Sequence, residues 1–528
     1  MISMAPIIKI TTMKKATLII VLSISTTLYF SCSKEIISVP DKYEALDPSQ
    51  PDITAKNWKP VLLSTPNEFS ISAPGPVNSS DYLAEINEII GWQDNLTNDQ
   101  KESIDYWKAG GVLRWNEILR ELVARHNLPP YQNSDGTYPA PNSANPFSYP
   151  EFPFSNPPYA ARAYAYVSAA QYDALIAASY YKDLYKRNSP DKINTEIQLM
   201  VPPSQVEEYA YPSGEAAIAG VTVEILKLLF PTEIAYIQQK AYEHNLSRII
   251  AGASTRSDIE AGEKLGKLVA SKFIARAKND RAGQAGGNAA FWSSLEQQCV
   301  AKGEIPWISQ ESPLRPPMLP RFGLVKGFLV DSISVINGRP QAPPSTNSEE
   351  FKKDVEEVLW YSEHPTKERY KLVDFWADGA GTYTPPGHWN AIACEAFVNQ
   401  KYSEVRWARN LALLNMAMMD AAICCWDAKY VYFNPRPCQV NPKIKTLTGL
   451  PNFPSYTSGH STFSGAAATI LSHIVPSMAA SFNKYADEAS LSRLYGAIHY
   501  KRDCEVGLVM GKAIGEKAVS RAMTDGAE

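Results

Sequence analysis

The chain is short of the residues that build metal-stapled and disulfide-stapled folds. Its seven cysteines, in 528 residues, form no CxxC pair, which excludes the common zinc-ligand spacings. Histidine is as scarce, also at seven. No block of lysine or arginine occurs and the formal net charge is −4, so nucleic acid is not an expected partner. Alternating apolar and polar runs long enough to build a sheet are missing, with a short pair near 322–336 as the one candidate. Beyond the N-terminal segment, no apolar run is expected to cross a bilayer. What remains is helical pattern, and an all-α fold is predicted.

At the N-terminus, Lys14-Lys15 precede the apolar run Ala16 to Phe30, and Ser31-Cys32 follows. A basic start, a short apolar core and a small residue read as an export signal over 1–32. The placement of Cys32 resembles a bacterial lipoprotein signal. That implies an exported protein of the periplasm or cell envelope, held at a membrane only through lipid on Cys32. Six cysteines remain, and Cys424-Cys425 lie in an apolar helical pattern that suits a core.

Residues 33–80, rich in Pro and Ser, read as a tether and arm. Helical periods then appear at 82–94, 97–127, 159–186, 214–229, 231–250 and 257–275, a first bundle over 81–276. Within it, 129–158 is Pro-, Asn- and aromatic-rich and reads as a surface loop or lid. Residues 277–346 are Gly- and Pro-rich, long for a linker, and expected to pack over something functional. Helical patterns resume at 347–361, 366–378, 386–400, 402–428, 459–475 and, in pieces, 477–524, a second bundle over 347–528.

The two bundles resemble each other. Asp173-Ala174-Leu175-Ile176 leading to Lys182 parallels Asp420-Ala421-Ala422-Ile423 leading to Lys429. Tyr211-Pro212-Ser213-Gly214-Glu215 parallels Tyr456-Thr457-Ser458-Gly459-His460, and Leu246-Ser247-Arg248 parallels Leu491-Ser492-Arg493. Gly262 and Gly266 parallel Gly507 and Gly511. Three blocks in one order predict an internal duplication. At the matched positions Arg436 becomes Ser189, His460 becomes Glu215 and His499 becomes Ser254. The first bundle is therefore expected to be a structural copy and the second to hold the single active site.

The second bundle concentrates charge. Lys429, Arg436 and Arg493 are three cations suited to a tetrahedral or trigonal oxyanion. Ser458-Gly459 opens a helix whose first amides lack intrahelical acceptors and whose dipole favours an anion. His499 and Asp503, four apart, are expected to share a helix face, so that the carboxylate holds one ring nitrogen and frees the other. His460, at the mouth of the cradle, is a candidate general acid or base.

These three motifs, Lys429-x6-Arg436-Pro437, Pro454 to Ser461, and Ser492-Arg493-x5-His499-x3-Asp503, resemble those of the type 2 phosphatidic acid phosphatase superfamily. That superfamily includes the vanadium-dependent haloperoxidases, whose chloroperoxidases are also built from two helical bundles. The resemblance is close over about 370–515. It implies that His499 binds vanadium, or is phosphorylated in a phosphatase, that His460 is the acid or base, and that Asp503 orients His499. It further implies that Lys429, Arg436, Ser458, Gly459 and Arg493 hold the oxyanion. Thr457 departs from the pattern, standing where the family carries proline.

Three features resemble the haloperoxidase branch: Trp426 three residues before Lys429, Phe453 in the longer central motif, and Phe375 to Gly379 with Asp378 placed to pair with Arg493. His388, after Pro385-Pro386-Gly387, would line the entrance or start a helix. The leading expectation is a vanadate-dependent haloperoxidase using hydrogen peroxide and halide. The alternatives are an acid phosphatase acting on phosphomonoesters through a phosphohistidine, and a lipid-anchored module that binds anions without turnover.

Overall fold

Side-chain caps set where the helices begin. Ser79, Thr97, Asn156, Ser213, Ser403 and Ser458 each accept a hydrogen bond from an amide in the first turn of the helix they precede. The computed structural model describes residues 42–127, 156–205, 208–311 and 315–527. The export signal with Cys32, the start of the tether and nearly all of the 129–158 loop lie outside the described residues. Met1–Lys42 is a unit of its own, of which only Lys42 is described, and Tyr43–Glu528 is a second, compact unit.

In chain order the helices are α1 (Ser80–Asp94), α2 (Asn98–Trp107), α3 (Gly111–His126), α4 (Pro157–Tyr185), α5 (Gly214–Leu229), α6 (Ile234–Ile250), α7 (Arg256–Lys278) and α8 (Ala289–Ala301). They continue with α9 (Ser332–Asn337), α10 (Glu349–Glu363), α11 (Lys367–Phe375), α12 (Thr384–Val398), α13 (Glu404–Tyr432), α14 (Gly459–Ile474), α15 (Ala479–Tyr495) and α16 (Lys501–Ala522). Single-turn helices lie at Pro190–Ile193 and Pro437–Val440. The described residues contain no strand, and the protein is all-α.

The strand pair expected near 322–336 is instead a 3₁₀ turn, Phe322–Leu324, followed by α9. Asp331 accepts from the amide of Ser334 at 2.7 Å and starts a helical turn, while Ile333 and Ile336 stay exposed. The 277–346 excursion also carries more helix than its composition suggests, because Asn288 caps α8.

Helices α4 to α7 and α13 to α16 follow the same order, with lengths of 29 and 29, 16 and 16, 17 and 17, and 23 and 22 residues. Both long helices end in a left-handed residue, Lys186 and Phe433, each with φ 51°. The peptide bonds Tyr211–Pro212 and Tyr456–Thr457, at matched positions, are both cis. Within each bundle, glycines bring the backbones together. A Cβ at Gly266 would meet Ala217 O at 2.3 Å, and one at Gly511 would meet Thr462 O at 2.1 Å.

The long helices α4 and α13 pack on each other in one core that spans both bundles. Buried amides tie them: Asn415 Nδ2 donates to Ser168 Oγ at 2.9 Å and to Asn390 Oδ1 at 2.9 Å. By length and composition, Glu404–Val440 is a candidate membrane span after all, but 94% of its apolar window is buried, as befits a central core helix. Each long helix also binds a wrapping segment by the same device. Asp173 accepts the amides of Val61, Leu62 and Leu63, and Asp420 those of Phe328, Leu329 and Val330.

Candidate active site

The three motifs converge. Lys429 comes from the last turn of α13, Arg436 caps the Pro437–Val440 turn, Ser458-Gly459 opens α14, Arg493 lies in the last turn of α15, and His499 and Asp503 flank the start of α16. Lys429, Arg436, Ser458, Arg493, His499 and Asp503 are all buried. The glycine contacts between α14 and α16 hold the cradle against the histidine: a Cβ at Gly507 would meet Ser458 O at 2.8 Å. The amide of Ser458 donates to Asp503 O at 2.9 Å and locks the two elements in register.

His499 and Asp503 meet, but not on a helix face. Helix α16 starts at Lys501, so His499 precedes it. Asp503 is the third helical residue and turns back to accept from the amide of Tyr500 at 3.3 Å. In that pose its Oδ2 lies 2.9 Å from His499 Nδ1. Arg436 Nη1 lies 3.0 Å from His499 Nε2. A guanidinium only donates, so Nε2 carries the lone pair and Nδ1 the proton. Burial and the neighbouring Arg436, Lys429 and Arg493 hold the ring well below its ordinary range and keep it neutral. Burial pushes the Asp503 carboxyl up to about 6, against the pull of its hydrogen bonds and of Lys429 and Arg436.

Ser455 is the residue that the motif reading missed. Its Oγ donates to Asp503 Oδ2 at 2.5 Å and lies 3.4 Å from His499 Nδ1. Its one signal was its place inside the central motif.

The cations divide their work. Arg436 donates Nε to Phe453 O at 3.0 Å and Nη1 to Ile498 O at 2.7 Å, while its buried Nη2 has no partner among the described residues. Lys429 is turned differently from expectation. All three of its hydrogens go to carbonyls of the central motif, Pro454 O at 2.9 Å, Ser455 O at 3.0 Å and Thr457 O. It braces the loop from beneath and adds charge rather than a free donor. Burial drops its ammonium to about 7, and drops the Arg436 and Arg493 guanidinium groups to about 10.

Arg493 makes no direct bond to Asp378, which acts on it only electrostatically. Its Nη2 donates to Trp376 O at 2.7 Å and its Nε to Ser492 Oγ at 3.0 Å. Asp378 bonds His388 Nδ1 at 3.0 Å and sits 3.6 Å from His460 Nε2. The two histidines hold its carboxyl down at about 2 despite burial. His460 is lowered to about 4 by burial and by Arg493. His388, stacked on Trp376 at 4.5 Å between centroids, is thus the anchor of Asp378 as well as the fifth residue of α12.

Trp426 and Phe453 wall the cluster. Their ring centroids are 4.9 Å apart, and Phe453 has Lys429 Nζ at 4.8 Å and Arg436 Cζ at 5.0 Å from its centroid. The excursion braces this wall from outside. Met318 O accepts from Trp426 Nε1 and Tyr430 Oη, and Gln341 O accepts from Tyr456 Oη.

The donor set fits an oxyanion. It offers the unpartnered Arg436 Nη2 and the first amides of α14, which have no intrahelical acceptor. Three buried cations face only two carboxylates, Asp503 and Asp378. Burial lowers all three basic groups, and the excess of positive charge favours a bound anion.

Residues 410–520 match the model of the PAP2 superfamily. Among solved structures, the chain is similar to a bacterial vanadium-dependent iodoperoxidase, at 22% identity and a TM-score of 0.57 over 78% of this chain and 96% of that one. It is also similar to a holo-type bacterial vanadium-dependent chloroperoxidase, at 12% identity and a TM-score of 0.49 over 70% and 92%. No curated protein matches the chain. The superfamily read from the three motifs is borne out, and the fold is shared with the iodoperoxidase.

Proposed function

We propose that the chain is a vanadate-dependent haloperoxidase that oxidises halide with hydrogen peroxide. The observation that carries this reading is His499, a buried neutral imidazole with Nδ1 on Asp503 and an Nε2 lone pair among Arg436, Lys429 and Arg493. A protein of the same fold is described as a vanadium-dependent iodoperoxidase, which supports vanadate as the oxyanion. Vanadate, when bound, would supply Lewis-acid activation of hydrogen peroxide toward attack by halide.

The chain's own residues have separate tasks. His499 Nε2 would ligate the vanadium, and Asp503, held by Ser455, fixes the ring through Nδ1. Arg436, Arg493 and the amides of Gly459 and His460 would hold the oxygens. His460 Nε2, neutral near pH 7, accepts a proton at the mouth of the cradle, and Asp378 stabilises the imidazolium that results. Trp426 and Phe453 exclude water.

The test follows halogenation of a chromogenic acceptor, with chloride, bromide or iodide, by a metal-free preparation given orthovanadate and peroxide. Halogenation that requires vanadate and vanishes in His499→Ala is expected. Its absence at every halide would sink the reading.

The second reading is an acid phosphatase, favoured by the same His499–Asp503 pair. Nε2 would attack phosphorus, the ester P–O bond would break, and protonated His460 would donate to the leaving alkoxide. A chromogenic phosphate ester cleaved without vanadate, with no halogenation, would establish it. A non-catalytic anion-binding module would instead keep its function in His499→Ala. Export and lipid attachment at Cys32 are part of the proposal, and mass spectrometry of the membrane fraction checks them.

A further inference from the structure

The first bundle has a cavity of its own. It measures about 690 Å³ and opens between α4, the start of α5, the end of α6, the first residues of α13 and the arm near 46–53. Lys182, Ser213, Gly214, Arg248 and Ser254 line it, at the positions that match Lys429, Ser458, Gly459, Arg493 and His499. Several second-bundle contacts recur. Ser213 caps α5 through the amide of Ala216, its own amide donates to Asp258 O at 2.9 Å, and Arg248 Nε donates to Ser247 Oγ at 3.3 Å. Arg248 is 2% exposed, yet its Nη2 has no partner among the described residues. A buried guanidinium nitrogen of this kind marks the place of an absent acceptor.

Charge decides what that acceptor is. The oxyanion set of the second bundle has lost a cation here, Arg436 becoming Ser189, and has gained a carboxylate, His460 becoming Glu215. Glu215 bonds His244 Nε2 at 2.8 Å and acts electrostatically on Arg248, as does Glu404. The cavity's basic side chains, Lys182, Lys186, Lys192 and Arg248, are offset by Asp52, Asp183, Glu208, Glu215 and Glu404, so no excess of positive charge is left to hold a phosphate or carboxylate. A hydroxyl group needs none, because it accepts from Arg248 and donates to a carboxylate at once. The volume suits a ligand of one or two sugar rings, and the wall mixes lysine and carboxylate side chains with apolar ones such as Leu46, Leu175 and Val405.

We propose that this cavity binds a small uncharged polyhydroxylated molecule, a sugar or polyol, with Arg248 donating to one of its oxygens and Glu215 accepting from a neighbouring hydroxyl. The site is separate from the His499 cluster and does not depend on what that cluster catalyses.

The test is calorimetric titration of the full chain with a panel of common hexoses, disaccharides and mannitol, and with inorganic phosphate. At least one neutral member is expected to bind, to lose about tenfold or more in affinity in Arg248→Met, and to lose binding in Ser179→Trp, which fills the cavity from α4. Thermal melting shows whether each variant is folded; if Arg248→Met is not, Ser179→Trp decides alone. Failure of the whole panel overturns the proposal. So does sugar binding that survives Ser179→Trp, or phosphate binding that depends on Arg248.

Discussion

His499 is poised by its partners, and the least conspicuous of them is Ser455. The hydroxyl on Asp503 keeps the carboxylate turned toward Nδ1. Ser455→Ala is expected to lower kcat by roughly tenfold with little change in KM, and kinetics with saturating vanadate check this. His460 gives a pH test with a defined sign. Its folded-state pKa, about 4, lies below the ordinary 6.5, so between those values the unfolded chain binds more protons than the folded one. Stability from this group is present above pH 6.5 and is lost as pH falls toward 4. Asp503, raised from 3.8 to about 6, acts in the opposite sense over nearly the same window. The difference between the wild type and His460→Gln isolates the histidine. Unfolding free energies from denaturant titration are expected to fall less in the variant between pH 7 and pH 4, by up to about 3 kcal/mol. Equal falls would contradict the assignment. At this scale the residue types were legible in the sequence, but their directions were not. Lys429 turns to carbonyls of a loop some 25 residues on, and Asp378 turns to two histidines rather than to an arginine, because nothing local fixes either rotamer.

The elements meet through glycine. Helix α16 lies on α14 as α7 lies on α5, and the approach leaves no room for a methyl group at Gly511 or Gly266. Gly511→Ala and Gly266→Ala are each expected to cost about 1–3 kcal/mol of stability. Only Gly511→Ala should also lose turnover, because the α14–α16 contact sets the cradle against Asp503 and the neighbouring His499. Melting curves beside activity assays check the pair, and equal activity in both would contradict the placement. Helix periods, caps and the two sets of matched motifs made most of this legible in advance. The His499–Asp503 spacing was read correctly as a contact for the wrong reason, since a cap and not a helix face brings the groups together. The 322–336 segment was misread because its apolar residues alternate, whereas Asp331 begins a helical turn there.

The whole molecule is tied by segments far apart in sequence. The arm that begins near Tyr43 reaches the C-terminal end, with the amide of Lys59 on Asp525 O at 2.7 Å and Arg521 Nη2 on Pro60 O at 3.0 Å. Arg409 holds Asp525 through two bonds at 2.7 and 3.0 Å in a nearly inaccessible pair. Asp525→Ala takes a carboxylate away from that buried guanidinium. It is expected to destabilise by about 3–5 kcal/mol while the folded chain keeps whatever turnover the wild type shows. Urea unfolding and kinetics on one preparation check both halves of that statement. The wrapping role of Asp173 and Asp420 was not legible, although both stood in the matched blocks, because their partner amides lie some 90 to 110 residues away.

The most direct measurement of the central claim is the stoichiometry of vanadate binding to the metal-free full chain, by titration calorimetry with phosphate as competitor. One vanadate per chain is expected, displaced by phosphate, lost in His499→Ala and retained in Arg248→Met. Two equivalent sites, or binding that persists without His499, would contradict the assignment of the oxyanion site to the second bundle alone.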